Sequence, residues 1–179
     1  RKNEIAKHLP LLCETAKQIA RERDDIQFIY PLAPTVSKAS VASDLNQKNP
    51  SITLIEADTY NTIAHSDLAL VTSGTATLET AILKTPLIII YKSSLVTYLI
   101  GKYMLRIKAI GLPNIIADRE IVPEDPHFVS PGKIANWVNY YLTNGEAYLK
   151  IKQNLIELRS QLGEKGAYQK TAAFINTLF

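Results

Sequence analysis

The run Asp67-Leu-Ala-Leu-Val-Thr-Ser-Gly-Thr-Ala-Thr-Leu-Glu79 constrains this chain more than any other stretch, because a short apolar segment turns directly into a helix start. Leu68 to Val71 suits a parallel strand covered on both faces, and Thr72-Ser73-Gly74-Thr75 then turns the chain into a helix. The first N–H groups of a helix lack intrahelical partners and carry the positive end of the macrodipole, so such a turn suits an anion. Gly74 lets a diphosphate approach the backbone, and the Thr72, Ser73 and Thr75 hydroxyls add donors. Glu79 lies four residues after Thr75 on the same helix face, where its carboxylate can accept hydrogen bonds from a ribose. The same residues also fit a structural helix capped by Ser73 or Thr75. A capping box needs Glu or Gln three residues after the cap, but Ala76 and Leu78 stand there, so Glu79 lacks that local job. On residues alone the phosphate site and the structural cap are evenly matched.

Around this run, strand-like and helix-like segments alternate. The pattern predicts a helix from about Pro10 to Arg23, a strand Ile26 to Tyr30, a helix Thr35 to Asn46 and a strand Ile52 to Ile55. A short helix Thr59 to His65, the strand Leu68 to Val71, a helix Thr75 to Lys84 and a strand Leu87 to Tyr91 follow. That order predicts an α/β fold, a doubly wound parallel sheet. Pro10 fits a first helical turn, where its missing N–H costs nothing, and Ile88-Ile89-Ile90 is apolar on both faces, as a central strand should be. An apolar and basic helix is expected from Ser93 to about Arg106, then a Gly-Leu-Pro-Asn connection. The last third is expected to be helical, over about Pro131 to Leu142, Glu146 to Leu162 and Ala167 to Leu178. The alternation opens on a helix with no strand feeding it, which predicts a strand and turn before Arg1 in a longer protein.

Composition sets the class. With 179 residues, 46% hydrophobic and 21% charged, the chain suits one domain with a sizeable core. Twenty basic against 17 acidic residues leave a net charge of +3, too balanced for a dedicated nucleic-acid binder but compatible with anionic ligands or headgroups. The single cysteine, Cys13, excludes an internal disulfide or a cysteine-cluster metal site and suits a cytoplasmic setting. It shares a stripe with Leu9, Leu12 and Ala16, so packing is favoured over catalysis. Arg1 to Lys7 is polar with no apolar core behind it, unlike a signal peptide, and no apolar run approaches the ~20 residues of a membrane span.

The run VTSGTATLETAILKTPLIIIY, with Arg1-Lys-Asn-Glu-Ile5 and Leu112-Pro-Asn-Ile-Ile-Ala-Asp-Arg-Glu-Ile-Val-Pro-Glu124, resembles the lipid-A-disaccharide synthase family. The likeness spans about the first two thirds of the chain, in order and register. It implies the C-terminal, UDP-sugar-binding half of a GT-B glycosyltransferase. Residues 1–128 would form a Rossmann-like domain lacking its first strand, and residues 129–179 a C-terminal helical extension packing on it or on an absent N-terminal domain. The implied reaction joins UDP-2,3-diacylglucosamine to 2,3-diacylglucosamine 1-phosphate, giving lipid A disaccharide 1-phosphate and UDP, by inversion and with no metal or other cofactor.

By the same resemblance Ser73, Gly74 and Thr75 hold the diphosphate and Glu79 the ribose. Arg1 corresponds to the arginine that closes the family's Gly-Ser-Arg turn near the sugar-phosphate, its Gly and Ser not being among these 179 residues, and a planar guanidinium pairs well with phosphate oxygens. Asn114, in the Leu-Pro-Asn loop, reads the uracil or a sugar hydroxyl. Arg119 and Glu120 either act there or pair to stiffen the loop. Asp125-Pro-His-Phe128 departs from the family, which continues with apolar residues and a glutamine. No catalytic base is assigned, because the resemblance places it in the N-terminal half. His8, His65 and His127 read as ordinary histidines, and Asp67 as a turn or capping residue.

Leu95 to Lys108 mixes apolar side chains with Lys102, Arg106 and Lys108. Packing on the sheet is favoured by composition, and a peripheral place on the inner membrane surface by the acylated substrates. The tail Ala173 to Phe179 carries apolar residues suited to a homodimer or an absent domain. The readings left open are another GT-B UDP-sugar enzyme, such as an epimerase or a peptidoglycan-precursor transferase, and a non-catalytic UDP-binding module.

Overall fold

The computed structural model describes residues 2–46, 50–91, 109–125, 130–163 and 166–177. Strands β1 (Phe28–Leu32), β2 (Ile52–Glu56), β3 (Ala69–Thr72) and β4 (Leu87–Ile90) alternate with helices α1 (Lys2–Glu22), α2 (Ala39–Asn46), α3 (Thr59–Ala64) and α4 (Thr75–Ile82). Beyond them come α5 (Leu112–Ala117), α6 (Pro131–Thr143), α7 (Gly145–Gln161) and α8 (Ala167–Asn176). All strand pairing is parallel: β1 runs beside β2 with Phe28 opposite Ile52, and β3 beside β4 with Ala69 opposite Leu87. Among the described residues these are two two-stranded units, with no ladder joining β1 to β3.

Helix α1 braces both pairs. Its Leu9 and Cys13 pack with Leu32, Val41 and Leu45 on the β1–β2 side. Its Leu11 and Ile19 pack with Ile88 and Ile90 of β4. This double burial explains why α1 begins at Lys2 and not at Pro10, as the sequence suggested. Pro10 lies inside the helix with its ring exposed. An interior proline costs about 3 kcal/mol in an unsupported helix, and the apolar stripes on both sides of Pro10 offset that loss.

Strand β4 shows why an all-apolar run makes a central strand. Ile88 and Ile90 face α1 and α6, with Ile134, Ala135 and Val138. Leu87 and Ile89 face the opposite layer, where Ala81 of α4 and Ile151, Leu155 and Leu158 of α7 close the core. All four β4 residues are fully buried, whereas β3 is only half-buried along its whole length. The result is three layers, helices on either side of parallel strands.

Several boundaries move for local reasons. β1 is shifted two residues along, because pairing with β2 draws in Pro31 and the buried Leu32. Helix α4 stops at Ile82, and Lys84, at φ 63°, takes the left-handed conformation that ends helices. The expected Gly-Leu-Pro-Asn connection folds instead into the short α5, with Pro113 in its first turn. Cys13 is 1% exposed within the core, matching its packing role. The expected helix from Ser93 to Arg106 and the segment Leu95 to Lys108 lie outside the described residues. Among the described residues no helix is long and apolar enough to cross a membrane.

Candidate functional site

The β3–α4 turn is held by the Ser73 N–H, which donates to the Ile90 carbonyl at 3.0 Å. Gly74 then adopts φ 155° and ψ −168°, a region essentially reserved for glycine. A Cβ at this position would meet no atom within 4 Å, so backbone conformation and not crowding demands the glycine. No side chain caps α4. The Thr77 N–H donates to the Gly74 carbonyl at 3.2 Å, and the Thr75 and Ala76 N–H groups ahead of it, with no partner among the described residues, are left to solvent or a ligand beside the exposed Gly74 and Thr75. The expected structural cap by Ser73 or Thr75 is therefore not made. The Thr77 hydroxyl donates to the Gly74 carbonyl at 2.7 Å and closes the first turn from within.

Ser73 faces a different partner. Its hydroxyl donates to the Ile110 carbonyl at 2.8 Å, which spends its single proton on the segment leading into α5. That segment is gripped by Glu124, whose two carboxylate oxygens accept the Ile110 N–H at 3.0 Å and the Gly111 N–H at 2.8 Å. Burial pushes the Glu124 carboxyl above the ordinary carboxylate range, opposed by these two N–H groups and by the Asn114 amide. Gly111 is closely packed here: a Cβ would overlap Ile89 Cδ1, which would have to shift, and stand 3.0 Å from Glu124 Oε2. The far end of the loop is laid along β4, with the Ile89 N–H donating to the Pro123 carbonyl at 2.9 Å.

Asn114, expected to read a base or sugar hydroxyl, is 1% exposed. Its Oδ1 accepts the N–H groups of Ile121 and Val122 at 2.8 and 3.1 Å. Its Nδ2 donates to the Val122 carbonyl at 2.9 Å and also engages Glu124. Three hydrogen bonds thus hold the amide within the loop, and in this structure Asn114 shapes the loop instead of facing a ligand. Sequence reasoning located the loop but could not see that the amide points inward.

Glu79 is exposed on α4, and its Oε2 accepts the Tyr60 hydroxyl at 3.1 Å. Tyr60 was not foreseen; its place at the head of a helix directly after a strand was the available signal. Arg119 reaches α7, with Nη2 3.2 Å from Asn154 Oδ1 and 3.3 Å from Glu157 Oε2, so its ion pair is with Glu157 and not Glu120. Asp125 is buried and pairs with Lys133, which also lies 4.9 Å over the Trp137 ring. Arg1, His127 and Phe128 lie outside the described residues. His65 Nδ1 meets the Asn61 carbonyl at 2.8 Å, and His8 is buried with Nδ1 2.9 Å from the Glu4 carbonyl. The Asp67 carbonyl accepts the Tyr148 hydroxyl.

Parallel strands between helical layers, with an uncapped helix start after β3, define a Rossmann-like α/β half carrying a helical extension. The family described as lipid-A-disaccharide synthetase matches residues 1–178, and the chain belongs to that family. A lipid-A-disaccharide synthase of Persephonella marina is 38% identical over 183 residues, covering 99% of this chain and 48% of the relative. Those of Myxococcus xanthus and Syntrophus aciditrophicus are 35% and 36% identical, covering 96% and 99% of this chain and 45% and 47% of the relatives. The chain therefore spans about half the length of the curated relatives it matches.

Proposed function

We propose that this chain is the donor-binding half of a hexosyltransferase of lipid A biosynthesis. It would join UDP-2,3-diacylglucosamine to 2,3-diacylglucosamine 1-phosphate and release UDP. The observation that carries this reading is the uncapped start of α4, with Gly74 in a glycine-only conformation and Glu79 one turn further on, in a chain of this family. The N–H groups after Gly74 and the Thr75 hydroxyl bind the diphosphate. Ser73 fixes the turn against the Ile110 carbonyl, and Glu79 accepts ribose hydroxyls. Asn114 acts by holding the loop, and Arg1 reaches the sugar-phosphate.

In the reaction the bond from the anomeric carbon to the UDP oxygen breaks as an acceptor hydroxyl attacks from the opposite face. The donors at the start of α4 stabilise the negative charge that collects on the departing UDP. The proton lost by the acceptor passes to a base that the family resemblance places in the N-terminal half. In this division residues 1–128 carry the donor and residues 129–179 brace it. α6 and α7 pack on the α/β body, and α8, with no buried residue, is left for the other half or a second copy. Acylated substrates place the reaction at a membrane surface.

The test is a fusion of this chain to the N-terminal half of the Persephonella marina relative, assayed for UDP release with both acylated sugars. Release that is lost in Glu79→Ala supports the transferase. A folded fusion that binds UDP yet releases none in the presence of acceptor favours the non-catalytic module.

A further inference from the structure

We propose that Tyr60 is a positioning residue for the nucleoside part of the donor, holding Glu79 in the orientation that distinguishes ribose from deoxyribose; this rests on the UDP-site reading above. The hydroxyl of Tyr60 donates to Glu79 Oε2 at 3.1 Å, joining the head of α3 to α4 across 19 positions of sequence. The bond is not needed to dock α3. That helix is already fastened by the Thr59 hydroxyl to the Leu32 carbonyl at 3.4 Å and by the Thr85 hydroxyl to the Ile63 carbonyl at 2.8 Å.

Nor does it serve a core, since Tyr60 is 60% exposed and Glu79 is exposed as well. What it does is restrict a carboxylate that would otherwise sample several rotamers on an open helix face. A carboxylate has about four acceptor positions, and Tyr60 occupies one, so the oxygens stay available to a pair of ribose hydroxyls. The location agrees. Tyr60 follows the carboxyl end of β2 and Glu79 lies one turn into α4, the helix that follows the carboxyl end of β3, the side on which open α/β sheets bind their ligands.

The experiment compares UDP with 2′-deoxy-UDP by calorimetry in the wild-type chain, Tyr60→Phe and Glu79→Gln. Wild type is expected to prefer UDP by about tenfold or more, the scale of one hydrogen bond to a charged group. Tyr60→Phe keeps the ring and is expected to bring the two ligands within about threefold of each other, with affinity for 2′-deoxy-UDP nearly unchanged. Tyr60→Phe that keeps the wild-type preference, or weakens both ligands alike, overturns the positioning role. If wild type binds both ligands equally, and Glu79→Gln does the same, the ribose assignment falls together with Tyr60 while the diphosphate site stands. Absence of UDP binding by folded wild type contradicts the donor-site reading itself.

Discussion

The Ser73 hydroxyl and the Ile110 carbonyl meet at 2.8 Å across 37 positions of sequence, tying the β3–α4 turn to the loop that ends at Glu124. The two most distinctive motifs of the chain are thereby one structural unit. Glu124 holds Ile110 and Gly111, Asn114 holds Ile121 and Val122, and the whole rests on β4 through Ile89. A change at the loop's buried amide should therefore be felt as stability before it is felt as binding.

Asn114→Ala removes the partner of two backbone N–H groups and one carbonyl, all near the buried loop. Each buried group left unpaired costs about 1–3 kcal/mol. The expected loss is about 3 kcal/mol or more, read as a lower urea midpoint. An unchanged midpoint with lost UDP affinity would return Asn114 to a ligand-reading role.

Gly74→Ala tests the turn. The added methyl has open space, yet φ 155° disfavours any L side chain. The strain of such a residue is on the order of 1–3 kcal/mol. Denaturation should show a loss in that range, and UDP affinity should fall because the turn relaxes away from the first N–H groups of α4. A variant as stable and as tightly binding as wild type would show that the conformation is not required.

Glu124 gives a pH signature. Burial raises its carboxyl in the folded protein above the ordinary carboxylate value it regains on unfolding. Between those two values the folded state binds more protons than the unfolded state. Its contribution is thus fully present below the unfolded value and is lost as pH rises through the folded one. Glu124→Gln removes this slope, so wild type minus variant stability, followed by urea melts from acid to neutral pH, should decline across that window. A flat difference would contradict the raised carboxyl.

Much of the fold was legible because β4 is apolar at every position and the helix start after β3 carries Ser73, Gly74 and Thr75 in a short run. Periodicity found the helices of the last third for the same reason, since their apolar stripes recur at helical spacing. What the sequence hid was set by tertiary partners. Helix α1 runs through Pro10 because strand pairs on both sides reward its apolar stripes. The Asn114 amide turns inward because two N–H groups and a carbonyl of its own loop need it, and Arg119 leaves the loop for Glu157. Tyr60 escaped notice because its meaning depends on Glu79, which no local pattern connects to it.

The central claim, that the start of α4 and Glu79 together bind a uridine diphosphate, is tested most directly by titrating UDP and UMP into the wild-type chain and into Glu79→Ala. The account predicts UDP binding by wild type, weaker UMP binding because one phosphate is absent from the helix start, and at least about tenfold weaker UDP binding by the variant at an unchanged unfolding midpoint. Equal UDP affinity in wild type and Glu79→Ala would contradict it.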